Sequence, residues 1–238
     1  MERLISTVVL ALLGFGLWSA SERYGIGRRL WHPYYVALAG GRRHADVVRD
    51  VGPRRRPALR EAGAAAGIAY PPSGLTLVGL KRERILEAWA RSSSGWTRVK
   101  SYPILAASGG PGPKLQEGDL QVPEGVYRLT AFNPRSSYHL SRRVDYPNAD
   151  DRAVALAEGR ERLGGDIFIH GKAVSIGCLA IGDDAIEELY VLVADVGLAR
   201  TRLILAPSAT PTSGADSPGW VGRLYQRLDR ELQAVRGR

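Results

Sequence analysis

Apolar and polar positions along the chain fall into three regimes. Residues 4–20 are an uncharged run of 17 residues rich in Leu, Val, Gly and Ala, with no polar stripe that could face water. Residues 25–67 are dominated by arginine and broken by Pro33, Pro53 and Pro57, a pattern that predicts short helical pieces in a tether. From Pro71 the pattern becomes globular. Leu75, Leu77 and Leu80, then Ile85, Leu86, Ala88 and Trp89, flank a charged stretch and predict a β-hairpin turning near Lys81 to Glu83. Trp96, Val99 and Tyr102 mark a strand over 96–104, and residues 109–113 are Gly/Pro loop. Tyr127, Leu129 and Ala131 alternate with Val126, Arg128 and Thr130, as a half-buried strand requires. Residues 166–170 predict a short strand ending in His170, and 202–206 a last strand closed by Pro207. Asp184 with Glu187 three residues on reads as a capping box, and Ile186, Leu189, Tyr190 and Val193 carry a helical stripe to Gly197. After a Ser/Thr/Pro/Gly-rich linker over 208–219, Trp220, Leu224, Leu228 and Leu232 predict a terminal amphipathic helix.

Composition narrows the class. A chain of 238 residues with 45% hydrophobic residues can bury a real core, and one cysteine excludes an intrachain disulfide. The net charge of +9 favours polyanionic surroundings. Nine arginines against Asp46, Asp50 and Glu61 put most of that surplus in residues 25–67, beside the apolar run, and the chain carries no recognised nucleic-acid motif. Such a segment gains about 1 kcal/mol per charge near anionic lipid. The run at 4–20 is longer than the usual signal-peptide core, and Trp18 sits where a cleavage site wants a small residue, so residues 1–22 are read as a retained membrane anchor. The charge bias across that anchor favours keeping its basic flank in the cytoplasm, which opposes export of the residues beyond it. The expected organisation is an anchor at 1–22, a basic tether at 23–70, a globular domain at 71–207, and a linker with a helix at 208–238.

The candidate chemistry lies in one stretch. The lone Cys178 follows His170 by eight residues, with glycines at Gly171 and Gly177. A thiol becomes a nucleophile when a nearby imidazole takes its proton, and backbone amides near Gly177 can stabilise a developing oxyanion. Lys172 could add positive charge. On spacing alone a buried filler role for Cys178, flanked by Ile176 and Leu179, competes with catalysis. His139, Asp166, His170 and Cys178 lack the paired spacings of a zinc site, so neither a metal nor another cofactor is expected.

Several ordered blocks change that balance. Gly118-Asp119-Leu120-Gln121-Val122-Pro123-Glu124-Gly125-Val126-Tyr127, Asn133-Pro134 through Tyr138-His139, and Asp145-Tyr146-Pro147-Asn148 precede His170-Gly171 and Ser175-Ile176-Gly177-Cys178. Together they resemble the L,D-transpeptidase (YkuD-like) catalytic domain over residues 72–207. The resemblance implies a mostly β (α+β) fold, a β-sandwich with a few helices, acting on peptidoglycan stem peptides through a cysteine thioester. It makes Cys178 the nucleophile, His170 the base, the Gly171 carbonyl the orienter of the imidazole, and the Gly177 and Cys178 amides the oxyanion site. Tyr138, His139 and Ser175 are assigned to substrate binding or support. Ile176 stands where the family usually has histidine, and Ala180 where it has arginine. In these features the chain is similar to the YafK-like branch, some members of which cut a lipoprotein from peptidoglycan. The alternatives are therefore transfer, hydrolysis of a diamino-acid bond, and a non-catalytic wall-binding module, all of them outside the cytoplasm.

Overall fold

The computed structural model describes residues 42–214 and 217–237. In chain order its elements are helix α1 (His44–Ala65), strands β1 (Leu75–Leu80), β2 (Ile85–Ser92), β3 (Gly95–Pro103), β4 (Ala106–Ala107), β5 (Gly125–Asn133) and β6 (Ser141–Val144), helix α2 (Ala149–Ala157), strands β7 (Phe168–His170) and β8 (Leu179–Ala180), helix α3 (Asp183–Val196), strand β9 (Thr201–Ala206) and helix α4 (Gly219–Arg236). The nine strands form one curled sheet in the order β3-β2-β1-β9-β5-β6-β7-β8-β4. The fold is thus mixed α+β. The expected sandwich of two facing sheets is replaced by one continuous sheet, and helices hold more of the described residues than strands do.

Short-range patterning explains the hairpin. β1 and β2 pair antiparallel from Leu75↔Ala90 to Leu80↔Ile85, and the turn at residues 81–84 closes with the Arg84 amide on the Lys81 carbonyl. β1 also pairs with β9 in parallel, and it is buried along its whole length because both its faces are covered. On one face Leu75, Leu77, Leu203 and Leu205 join the main core with α1 and α3. On the other, Val78, Leu80, Ile204 and Ala206 receive Val221, Tyr225, Leu228, Leu232 and Val235 of α4. The terminal amphipathic helix therefore closes the back of the sheet. Tyr225 also donates to Glu124 Oε2 at 2.7 Å, and the other Glu124 oxygen meets Lys81 Nζ at 2.9 Å.

Two local expectations are corrected. The basic tether does not break into short pieces: α1 runs unbroken for 22 residues with Pro53 and Pro57 inside it. The two prolines lie four apart on the exposed stripe, where carbonyls freed by the missing amides can be hydrated, while Val47, Val51 and Leu59 bind the other face to the core. Part of its arginine surplus is consumed by α3: Arg56 grips Asp195 through two contacts of 2.8 Å, and Arg55 pairs with Asp184 and Glu187. The expected capping box at Asp184 is absent, because α3 begins at Asp183 behind Gly182, and Glu187 is turned inward. The anchor expected at residues 1–22, and the tether before residue 42, lie outside the described residues. Among the described residues no helix is long and apolar enough to cross a membrane.

Candidate active site

β7 and β8 set the geometry. They pair in parallel with Ile169↔Leu179 and His170↔Ala180. Cys178, immediately before β8, then falls opposite Phe168, and alternation along a strand puts Cys178, Phe168 and His170 on one face. His170 and Cys178 are diagonal neighbours with Cα atoms about 8 Å apart, a spacing that thiol and imidazole side chains can bridge. The sulfur rests at the first end of β7, 3.7 Å from the Asp166 carbonyl, and the residue is only half-buried. Cys178 is therefore not fully enclosed in the core.

His170 is held from two sides. Its Nδ1 lies 2.6 Å from the Gly171 carbonyl. A carbonyl can only accept, so Nδ1 carries the hydrogen and the neutral ring has its lone pair on Nε2, the tautomer a base needs. Tyr138 stacks against the imidazole with ring centroids 4.7 Å apart. Gly171 makes that approach possible: a Cβ there would sit 2.7 Å from the Tyr138 carbonyl oxygen and 2.6 Å from Asp183 Oδ1.

Burial sets the resting protonation. Desolvation pushes the Cys178 thiol above its ordinary value, against the opposing pull of the Phe168 amide and Lys114. Desolvation likewise holds His170 below the usual imidazole value, partly offset by its bond to Gly171. Both shifts favour a protonated thiol and a neutral imidazole at rest.

The loop before Cys178 departs from expectation. The Cys178 and Gly177 amides, expected to face an oxyanion, donate to hydroxyls: Cys178 N to Ser175 Oγ at 3.1 Å, and Gly177 N to Ser108 Oγ at 2.5 Å and Ser175 Oγ at 3.3 Å. Ser175 Oγ also donates to the Cys178 carbonyl at 2.7 Å. Ser175 is thus the hub of the loop before Cys178, and Gly177 takes a φ of +116° that few other residues tolerate. Lys172 pairs with Asp183 at 2.6 Å and spends its charge there. The cation acting on the thiol is Lys114, fixed to Asp119 at 2.5 Å and to the Gln116 carbonyl at 2.8 Å. Its only trace in the sequence is a lysine closing a Gly/Pro loop. His139 and Asp166 turn away, to Glu187 at 2.9 Å and to Arg143 at 3.2 Å. Leu105, Leu120, Val174 and Ile176 stand exposed on the loops that lead into β4, β5 and β8, an apolar set that no periodicity in the chain would group.

Cys178 and a tautomer-fixed His170 thus share one face of the β7–β8 pair in a curled sheet. The YkuD family, the L,D-transpeptidase catalytic domain, matches residues 76–205, and the chain belongs to that family. A protein of Escherichia coli strain K12 named "Putative L,D-transpeptidase YafK" is 37% identical over 115 residues, covering 48% of this chain and 44% of that protein. The chain thus matches less than half the length of this relative. Among solved structures, the helical cell shape determining protein Pgp2 of Campylobacter jejuni is similar in fold, with a TM-score of 0.50 at 19% identity over 75% of this chain and 63% of that one. Its K307A mutant gives a TM-score of 0.50 at 20% identity over 67% of this chain and 55% of that chain.

Proposed function

We propose that the protein is a cysteine acyltransferase acting on peptidoglycan stem peptides. The observation that carries this reading is a half-exposed thiol on the same strand face as an imidazole whose Nδ1 is committed to a carbonyl. In the first half-reaction His170 Nε2 accepts the thiol proton as Cys178 Sγ attacks the peptide carbonyl. The C–S bond forms, the C–N bond breaks, and the departing amine takes the proton from the imidazolium. In the second, an incoming amine or water gives its proton to His170 and attacks the thioester, and the sulfur leaves to be reprotonated. Residues of the chain perform every step, and no cofactor is required.

The exposed side chains of Leu105, Leu120, Val174 and Ile176 supply apolar contact for the stem peptide, with Tyr138 covering the imidazole side. On the same reading the protein works outside the cytoplasm, held to the membrane through residues 1–22. Product analysis on purified wall fragments tests the proposal. New crosslinked muropeptides that disappear with Cys178→Ser support transfer. Released peptides or a freed wall-linked lipoprotein, equally dependent on Cys178, make water the acceptor. Unchanged products from wild type and Cys178→Ser contradict both and leave a wall-binding role.

A further inference from the structure

The segment carrying Tyr138 has little regular structure of its own. It lies between β5 and β6, and His139 takes a φ of +73°, a left-handed backbone conformation uncommon outside glycine. Something must hold it there. His139 Nε2 lies 2.9 Å from Glu187 Oε1 on α3. The other oxygen of Glu187 accepts from Arg55 of α1, from Nε at 2.9 Å and Nη2 at 2.8 Å, with Arg54 a further 3.5 Å contact. Arg55 also reaches Asp184. Glu187 is 7% exposed, so its charge is largely removed from water and depends on these partners.

These contacts form one continuous chain from α1, through Glu187 and His139, to the ring packed on His170. Its first member lies outside residues 76–205, where the family match falls. We infer that Arg55 and Glu187 are positioning residues: α1 clamps His139 through Glu187 and thereby keeps Tyr138 seated against His170. The role assigned to His170 rests on the proposed function, but the clamp is a statement about geometry. Arg55 fits it by bringing a cation onto Glu187 Oε2, which an uncharged side chain cannot do.

The test reads His170 directly. In full-length protein with labelled histidine, ring current from Tyr138 shifts the His170 ring-proton signals, and Tyr138→Leu gives the unshifted reference. Arg55→Ala and Glu187→Gln should each move the signals most of the way to that reference, the double variant no further, and Arg55→Lys should restore most of the shift. Acylation of Cys178 should fall about tenfold in kcat, with KM little changed. If Glu187→Gln fails to fold, Arg55→Ala carries the test, since Arg55 is partly exposed. Wild-type signals in folded Arg55→Ala overturn the clamp. Absence of any acyl adduct on wild-type Cys178 would instead sink the proposed function, leaving the ring-proton result to decide the clamp alone.

Discussion

Replacing Gly171 by alanine perturbs the site through one methyl group. The added Cβ would lie 2.7 Å from the Tyr138 carbonyl oxygen, 2.6 Å from Asp183 Oδ1 and 3.1 Å from His139 Cβ. Ordinary contact begins near 3.4 Å, so the Tyr138 backbone must retreat by about 0.5 Å or more. Asp183 can yield more easily, being a half-exposed side chain paired with Lys172. Overpacking of this kind costs about 1–3 kcal/mol, which a domain with two hydrophobic clusters survives. The larger effect falls on chemistry, because the Tyr138 ring belongs to the displaced segment and the carbonyl holding His170 Nδ1 is that of residue 171 itself. Misplacement approaching 1 Å costs on the order of 100-fold in rate. The assay is the rate of adduct formation on Cys178 by intact mass, alongside a thermal melt. The expected result is a folded protein with Tm lowered by several degrees and acylation slowed about 30- to 100-fold. Acylation at the wild-type rate in a folded variant would refute this explanation of why glycine follows His170.

Alkylation of Cys178 by iodoacetamide should climb steadily with pH and go on rising past the ordinary thiol value of 9.0, without the plateau at acid pH that a stored thiolate gives, since burial raises the thiol and lowers the imidazole. Acylation by a peptide should persist as pH falls until His170 takes a proton, below the ordinary 6.5, and His170→Ala should lose that acid-side activity; an alkylation profile that stays flat across the neutral range would contradict this. Asp151 has its carboxyl raised from 3.8 to about 6, chiefly by burial. The folded state therefore holds this proton more tightly, and its stabilising effect, full below pH 3.8, is lost as pH rises through 6, by about 2–3 kcal/mol. Asp151→Asn should flatten the Tm difference between mildly acidic and mildly alkaline buffer, whereas an unchanged difference in circular dichroism melts would show that Asp151 does not titrate this way.

Elements whose pattern depends on near neighbours are legible in the sequence. The β1–β2 hairpin, the alternation of β5, the apolar stripe of α3 and the amphipathic stripe of α4 all lie within a few residues of where the pattern puts them. The His-Gly and Ser-x-Gly-Cys blocks likewise lie on β7 and on the loop between the paired strands β7 and β8, where the candidate site falls. The hidden features depend on partners distant in sequence. Pro53 and Pro57 speak against a long helix, because only α1's packing reveals that both lie on its wet face. Helix α2 has no counterpart among the expected elements, although Asn148 and Asp151 form its capping box. Arg142 and Arg143 are indistinguishable as a dipeptide. Yet Arg142 is fully buried with its guanidinium 3.2 Å from the Phe132 ring centroid, while Arg143 is exposed. The amides expected to form the oxyanion site are engaged elsewhere, one of them by Ser108, which lies 69 residues upstream and leaves no mark on the local pattern.

The central claim is that Cys178 carries the acyl group. Incubating the full-length protein with a synthetic stem tetrapeptide, trapping with acid and measuring intact mass tests it most directly. The predicted result is an adduct equal to the acyl portion of the peptide, released by hydroxylamine and mapped to Cys178, and absent from Cys178→Ser. Turnover of the peptide without any such adduct, or with an adduct that persists in Cys178→Ser, would contradict it.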